Sequence, residues 1–243
     1  GPAAGDVCYY RGTAFIMEQE EQVKAALRTF FDCSQVEPRV VSGQMANDTV
    51  YDALKQFRNR HRPGVEPRLL GPVLVHDLIR GGHLSAQVPG SLRNYVRVDP
   101  RTGRPDVLHF PAMDDDPWTI DVEATCRIIE ERRPELLVFG RSVIIAREPV
   151  ARVARFIHDL YGRDNPDRPV IVYDAAHVLG LLGPHFQDPL AEGADLVTGS
   201  THKTFFGPQR GVVLATGKDE ALRQAVDRGV FPGSSSNHHL FSL

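Results

Sequence analysis

The sequence is poor in cysteine: Cys8, Cys33 and Cys126 are the only three in 243 residues, and they lie far apart. An odd number of separated cysteines, with no C-x-x-C pair, argues against a disulfide framework and against a zinc finger. Long apolar runs are missing as well, since none approaches the roughly 20 residues that a membrane-spanning helix needs. We therefore expect a cytoplasmic protein with no membrane partner.

An excess of charge of one sign is also missing. The 28 Lys and Arg side chains nearly balance 31 Asp and Glu side chains, which leaves a formal net charge of −3 at pH 7. This balance argues against a nucleic-acid partner held by a basic surface. A hydrophobic fraction of 42% and a charged fraction of 24% are typical of globular proteins.

Both ends of the sequence are abrupt, so we expect it to be part of a longer polypeptide. We divide it into an N-terminal segment with one helix, residues 1–34, and a main domain, residues 35–243. At about 100–200 residues per domain, this length fits one large domain.

Helical and apolar segments alternate along the chain. The spacing of Ile16, Val23, Leu27 and Phe30 predicts an amphipathic helix over residues 14–31. Further helices are predicted over residues 44–60, 121–132 and 150–161, and strands over residues 38–41, 72–76, 135–139 and 169–173, with another apolar run over residues 194–199. Strands that are apolar on both faces and are followed by helices indicate an α/β fold of three α/β/α layers around a mostly parallel sheet.

Polar residues stand directly after the apolar runs, where ligands bind in such sheets. In chain order they are Ser42, Gly43, Gln44, Gly81, Gly82, His83, Ser142, Asp174, Ser200, Thr201, His202 and Lys203.

Two of these residues carry the main chemical alternatives. Asp174 ends an apolar strand. Its carboxylate is either buried, in which case it requires a cationic or proton-sharing partner, or it caps the start of a helix. Lys203 precedes two phenylalanines and is either a desolvated amine of the kind that forms Schiff bases or a solvated surface charge.

Two further positions are equally open when taken singly. His83 after two glycines either lies against a planar ring or is a loop histidine. Ser42 and Gly43 open a predicted helix and either cradle a phosphate or simply cap the helix. The histidines show no zinc-like spacing, so no metal site is predicted. Taken jointly, phosphate donors, a stacking histidine, a carboxylate and a lysine are what pyridoxal 5'-phosphate requires.

At these residues the sequence resembles serine hydroxymethyltransferase and related pyridoxal-phosphate enzymes of fold type I. Five segments carry the resemblance in the family's order: Tyr9-Tyr10-Arg11-Gly12, Ser42-Gly43-Gln44-Met45-Ala46-Asn47, Gly81-Gly82-His83-Leu84, Asp174-Ala175-Ala176-His177-Val178-Leu179-Gly180-Leu181, and Thr201-His202-Lys203-Thr204 followed by Gly207-Pro208.

The resemblance implies a role for each matching residue. Lys203 would form the Schiff base with the cofactor, Asp174 would pair with its ring nitrogen, and His83 would stack on the ring. Ser142 and His177 would approach the ring's phenolic oxygen, and Tyr10 would line the substrate side. The phosphate and its arm would lie among Ser42, Gly43, Gln44, Ser200 and His202, and in a homodimer or tetramer Ser236 and Asn237 would reach the neighbouring subunit's phosphate.

Departures from the hydroxymethyltransferase pattern bear on the substrate. The run from Ser200 to Gly207 with Gln209-Arg210-Gly211, and Pro232-Gly233 followed by Ser236-Asn237-His238-His239, are more similar to L-threonine transaldolases, including the fluorothreonine-forming type. The resemblance then implies cleavage of L-threonine to a glycyl quinonoid and acetaldehyde, with addition of a second aldehyde to give a β-hydroxy-α-amino acid.

The alternatives are folate-dependent serine–glycine hydroxymethyl transfer, a threonine aldolase, and a non-catalytic partner domain. The last is motivated by two missing parts of the family pattern. The family's catalytic glutamate falls on Pro2, and its C-terminal small domain would follow Leu243.

Overall fold

The computed structural model describes residues 14–216 and 219–235. Its main feature is a seven-stranded sheet with the order β1-β9-β8-β7-β6-β2-β5, beside a two-stranded ribbon of β3 and β4. The strands are β1 (Gln35–Glu37), β2 (Val73–Val75), β3 (Val98–Asp99), β4 (Arg104–Pro105), β5 (Val107–His109), β6 (Leu136–Phe139), β7 (Val170–Asp174), β8 (Leu196–Ser200) and β9 (Gly211–Ala215).

Five neighbouring strands of the large sheet, β5, β2, β6, β7 and β8, run parallel. At the other side, β9 pairs antiparallel with β8 and β1 pairs antiparallel with β9. The expectation of a mostly parallel sheet is therefore confirmed, with an antiparallel pair added at one side.

Helices cover both faces of the sheet. They are α1 (Ala14–Phe31), α2 (Gly43–Asn59), α3 (Val122–Arg132), α4 (Val150–Tyr161), α5 (Pro189–Glu192) and α6 (Glu220–Arg228). The helix α4 has the predicted bounds, α2 is displaced from the prediction by one residue at each end, and α3 begins one residue later than predicted. Among the described residues, no helix has the length and apolar character that crossing a bilayer requires.

The core has two parts because successive strand residues point to opposite faces of the sheet. Leu136 and Val138 of β6 pack in one cluster with residues of α2 and α6. Leu137 and Phe139 pack in the other with residues of α3 and α4. The fold-type-I α/β/α architecture that the sequence predicts is confirmed.

The predicted strand at residues 38–41 is wrong. Strand β1 ends at Glu37, and Pro38, which has no N–H to donate, begins a buried loop. The strand's own pairing, Gln35 to Glu37 against β9, lies just before the predicted segment.

Helix α1 has the predicted bounds but not the predicted buried face. Phe30, expected to be inward, is 57% exposed, whereas Glu20 and Lys24 are buried. Their side chains form an ion pair of 2.5 Å. A buried charge is tolerated when a partner neutralises it, and hydrophobic spacing cannot reveal such a pair.

Candidate functional site

The carboxyl ends of the parallel strands gather the residues singled out in the sequence. Asp174 is the last residue of β7, and Ser200 is the last residue of β8. Lys203 lies in the loop after β8, Ser142 in the loop after β6, and His83 in the segment after β2. Because these strands are parallel neighbours, their ends meet at one edge of the sheet.

Asp174 is almost fully buried, with 1% exposure. Its Oδ2 lies 2.5 Å from His83 Nδ1 and accepts from Asn47 Nδ2 over 2.8 Å. Its Oδ1 accepts from the Ala176 backbone N–H over 3.0 Å. Burial alone would raise the pKa of this carboxyl, but the hydrogen bonds from His83, Asn47 and Ala176 outweigh burial and lower the pKa. Asp174 is therefore held ionised in a dry environment.

Asn47 is a site residue that the residue-by-residue analysis missed. Thr198 Oγ1 of β8 donates to its Oδ1 over 2.6 Å, which fixes which end of the amide faces Asp174. Its Nδ2 also donates to Ser85 Oγ. Asn47 ends the family-like segment that begins at Ser42, and it lies one turn into α2. That position on a helix opening at the site edge was the available signal.

Lys203 is partly buried beside the same carboxylate. Burial lowers the pKa of its amine, and the charge of Asp174 offsets part of that decrease. Its Nζ donates to Ser200 Oγ over 3.4 Å. A lysine with a lowered pKa is the form in which this residue acts as a nucleophile toward carbonyl groups.

His177 stands on the same side of the site. Its ring lies edge-on to that of His83, with ring centroids 5.1 Å apart. Burial lowers the pKa of His177, and the nearby Lys203 charge lowers it further. The imidazole is therefore shifted towards its neutral form, which can both donate and accept a hydrogen bond.

Helix α2 begins at this edge. Ser42 caps it, with its Oγ accepting from the Met45 N–H over 3.1 Å, and the first turn holds no acidic residue. A Cβ on Gly43 would meet Ser200 Oγ, so only glycine lets the helix start approach β8 this closely. The free N–H groups at the start of a 17-residue helix favour an anion.

Some predicted site residues lie farther out or outside the described chain. Gln44 and His202 are exposed, and Ser142 is half-buried, with its backbone N–H donating to the Gly81 carbonyl over 2.8 Å. Tyr10, Ser236 and Asn237 lie outside the described residues. Within the described ranges, no cluster of three or more His, Cys, Asp or Glu side chains is suited to a metal ion.

The residues at this edge fit pyridoxal phosphate. Lys203 offers a desolvated amine, Asp174 a buried ionised carboxylate for a protonated ring nitrogen, and the start of α2 an anion-binding helix end. The close approach that Gly43 permits leaves Ser200 at the same helix end.

The fold has a solved counterpart. L-threonine transaldolase from Pseudomonas fluorescens, solved in its internal aldimine state, matches with a TM-score of 0.73 at 22% identity. The match covers 99% of this chain and 48% of that one. At this identity the likeness concerns the fold.

Curated relatives are named serine hydroxymethyltransferase. The one from Thermoplasma acidophilum is 39% identical over 97% of this chain and 49% of its own length. That from Archaeoglobus fulgidus is 35% identical over 97% of this chain and 47% of its own length. The chain thus spans about half the length of the curated relatives it matches.

The family model described as serine hydroxymethyltransferase matches residues 4–242. Pyridoxal phosphate, the cofactor that the sequence predicts, is confirmed by this match, since enzymes of this kind depend on it. With nearly the whole sequence inside one family model, the chain belongs to the serine hydroxymethyltransferase family.

Proposed function

We propose that the protein breaks and forms the Cα–Cβ bond of β-hydroxy-α-amino acids with pyridoxal phosphate as its cofactor. One observation carries the proposal. A buried, ionised Asp174 and a partly buried lysine of lowered pKa, Lys203, lie within electrostatic reach of each other at the edge where helix α2 begins. This combination serves a cationic aromatic ring that bears both an aldehyde and a phosphate.

Bound pyridoxal phosphate supplies an aldehyde that condenses with amines and a ring that accepts the negative charge left on Cα when the Cα–Cβ bond breaks. Asp174 would keep a proton on the ring nitrogen of the bound cofactor, because its own lowered pKa favours the anion beside that proton. Asn47 and Ala176 keep the carboxylate oriented by donating to both of its oxygens.

Lys203 would react through its neutral amine form. Its lowered pKa increases the unprotonated fraction that can attack a carbonyl carbon and later take a proton. His177, whose pKa is lowered towards its neutral form, would provide a hydrogen bond beside the reacting groups.

The other residues position the cofactor. With the cofactor bound, His83 would pack its ring against the aromatic plane, and Ser142 would approach the phenolic oxygen. Ser42, Gly43 and Ser200 would hold the phosphate at the start of α2, where the helix dipole favours an anion. His202 and Gln44, both exposed, would approach the phosphate arm from the solvent side.

Two donor substrates follow from different observations. The segments around Lys203 and after Pro232 favour L-threonine as donor and an aldehyde as acceptor. The names of curated relatives at 35–39% identity favour transfer of a hydroxymethyl group between serine and glycine, with folate as carrier. Both reactions break the same bond and use the same residues.

One experiment separates these reactions. The full-length protein, loaded with pyridoxal phosphate, is given L-threonine and an acceptor aldehyde without folate, or L-serine with and without tetrahydrofolate. Acetaldehyde release followed by a new β-hydroxy-α-amino acid supports the transaldolase. Folate-dependent conversion of serine to glycine supports the hydroxymethyltransferase. If neither occurs and glycine does not change the visible absorbance, the protein is a non-catalytic partner.

Lys203 has its own test. Borohydride reduction should attach the cofactor covalently to the peptide that contains Lys203, as read by mass spectrometry. The Lys203→Ala variant should retain no covalently attached cofactor after reduction. Attachment at another lysine would show that Lys203 is not the nucleophile.

We also propose that two copies of the chain meet beside this site. The two loops that flank it expose large apolar side chains, with Ile79 at 90%, Leu84 at 53% and Ile145 at 65% exposure. A second copy would cover them and bring Ser236 and Asn237 to its neighbour's phosphate, while Tyr10 lines the substrate side. Light scattering of the full-length protein should give at least a dimer, and an active monomer would contradict the proposal.

A further inference from the structure

A buried ion pair lies next to the site without being part of it. Arg141 follows β6 and Glu148 precedes α4, and both are buried, with exposures of 6% and 4%. Arg141 Nε donates to Glu148 Oε1 over 2.9 Å, and Arg141 Nη2 donates to the Trp118 carbonyl over 2.7 Å. The pair therefore connects the two ends of the loop between β6 and α4 and ties that loop to the one that contains Trp118.

His76, at the end of β2, completes this cluster. Its Nε2 lies 3.2 Å from Glu148 Oε1. Burial lowers the pKa of His76, which favours the neutral imidazole. Burial alone would raise the pKa of Glu148, but the neighbouring His76 ring and the charge of Arg141 outweigh burial and lower it. The cluster thus joins one carboxylate, one guanidinium and one imidazole ring.

The backbone of Glu148 is tied to the strand that carries Asp174. The Glu148 N–H donates to Gln187 Oε1 over 3.0 Å, and Gln187 Nε2 donates to the Glu148 carbonyl over 2.7 Å. Gln187 Oε1 also accepts from the hydroxyl of Tyr173 over 3.3 Å. Tyr173 is the neighbour of Asp174 in β7, so this contact connects the ion pair to that strand.

The backbone of Arg141 is tied to the turn that carries His83. Arg141 forms an isolated antiparallel bridge with Gly82. The next residue, Ser142, donates its N–H to the Gly81 carbonyl over 2.8 Å. A Cβ on Gly82 would lie 2.8 Å from the carbonyl oxygen of His76 in the same segment, so this segment folds back on itself closely at Gly82. His83 follows directly.

We propose that Arg141 and Glu148 are positioning residues that fix His83 and Ser142 relative to Asp174 and thereby set how tightly the cofactor ring is held. A buried ion pair is not required for stability as such, because well-packed apolar residues often replace it without loss. Here the pair links the two walls of the ring site, and apolar side chains would pack there without reproducing those hydrogen bonds. The inference rests on the proposed roles of His83 and Ser142, not on which amino acid is the substrate.

The test measures pyridoxal-phosphate affinity and thermal stability in the same variants of the full-length protein. Glu148→Gln, which leaves Arg141 without its counter-ion, should lower both. The double variant Arg141→Met with Glu148→Met should have a melting temperature close to that of the wild type, because apolar side chains can pack in place of the ion pair. Its dissociation constant for the cofactor should remain about tenfold above the wild-type value, which is the scale on which supporting residues affect ligand sites. Recovery of affinity together with stability would overturn the proposal.

A second pair serves as the matched control. Arg168 binds Asp195 with contacts of 2.9 and 2.5 Å at the opposite, amino-terminal edge of the sheet. The double variant Arg168→Met with Asp195→Met should change the melting temperature without changing cofactor affinity. An equal loss of affinity in this control would mean that the effect is general destabilisation, which also overturns the proposal.

A double-mutant cycle with His83→Ala tests the route of the effect. The double replacement Arg141→Met with Glu148→Met raises the dissociation constant for the cofactor by some factor in the wild type. If the pair acts through the segment that carries His83, the same replacement made in the His83→Ala variant should raise it by less than half that factor. Full additivity would overturn the inference. Because the readout is cofactor binding, a protein that binds the cofactor but transforms no β-hydroxy-α-amino acid would refute the proposed function alone.

Discussion

Asn47 and Asp174 are 127 residues apart in the chain, yet the amide of Asn47 donates to the carboxylate of Asp174 over 2.8 Å. Thr198 from the neighbouring strand holds that amide in place. The buried carboxylate at the centre of the site is thus supported by a helix on one face of the sheet and by the adjacent strand.

Replacing Asn47 by alanine should lower cofactor affinity and also destabilise the protein by about 1–3 kcal/mol, because a buried carboxylate loses a donor and Thr198 loses its acceptor. Asn59→Ala is the control in the same helix, since Asn59 is also buried and donates to the Lys55 and Arg68 carbonyls. It should lower stability with no change in cofactor affinity. Denaturant unfolding and cofactor titration measure the two quantities, and equal affinities in both variants would remove Asn47 from the site.

Gly43→Ala should weaken cofactor binding, because the added methyl group would meet Ser200 Oγ and push the start of α2 away from β8. Gly229→Ala, at the end of α6, places its methyl group 3.3 Å from Thr49 Cγ2, an easily relieved contact. We expect the Gly229 variant to bind pyridoxal phosphate like the wild type. Unchanged affinity in the Gly43 variant would show that the anion end of the cofactor lies elsewhere.

Removing the hydroxyl of Tyr51 should stabilise the protein by about 1 kcal/mol or leave its stability unchanged. Tyr51 is fully buried, and within the described part of the chain its hydroxyl has no hydrogen-bond partner, so its desolvation is not compensated. Tyr173→Phe is the opposite case, because it removes a donor to Gln187 and should destabilise. Urea unfolding of both variants measures the change in unfolding free energy. A large loss of stability in Tyr51→Phe would show that the Tyr51 hydroxyl has a hydrogen-bond partner after all.

Acid should destabilise the wild type more than the Glu148→Gln variant. The pKa of Glu148 in the folded protein is lowered from its ordinary value of 4.5, so the stability it contributes is present above pH 4.5 and is lost as the pH falls towards the lowered folded value. The glutamine variant lacks that contribution at every pH. The difference in unfolding free energy between the two proteins should therefore shrink between about pH 5 and pH 3. A constant difference would mean that Glu148 is not ionised in the fold.

Cofactor incorporation should become faster with rising pH. Burial lowers the pKa of Lys203 from its ordinary value of 10.5, so its reactive neutral fraction grows at a lower pH than that of an exposed lysine. Stopped-flow absorbance of the apoprotein mixed with pyridoxal phosphate should show an apparent midpoint below 10.5. Free Nα-acetyl-lysine treated in the same way is the control, and a shared midpoint would contradict the desolvation of Lys203.

The sequence by itself determined the layered α/β architecture and the edge of the sheet at which chemistry occurs. Apolar runs and helical spacing depend on neighbouring residues, so α4 and β6 were predictable nearly to the residue. Asp174, His83 and Lys203 could be singled out because residues that follow parallel strands necessarily share one edge.

The tertiary structure alone decided which side chains support that edge. Which polar side chains meet, and which of them are buried, depends on the elements that the crossovers bring together. Examples are the contacts of Asn47 with Thr198 and of Arg141 with Glu148, and the burial of the Glu20–Lys24 pair. A polar residue looks the same in a sequence whether water or a buried counter-charge satisfies it. Only packing, which removes the water, makes its partner necessary and identifiable.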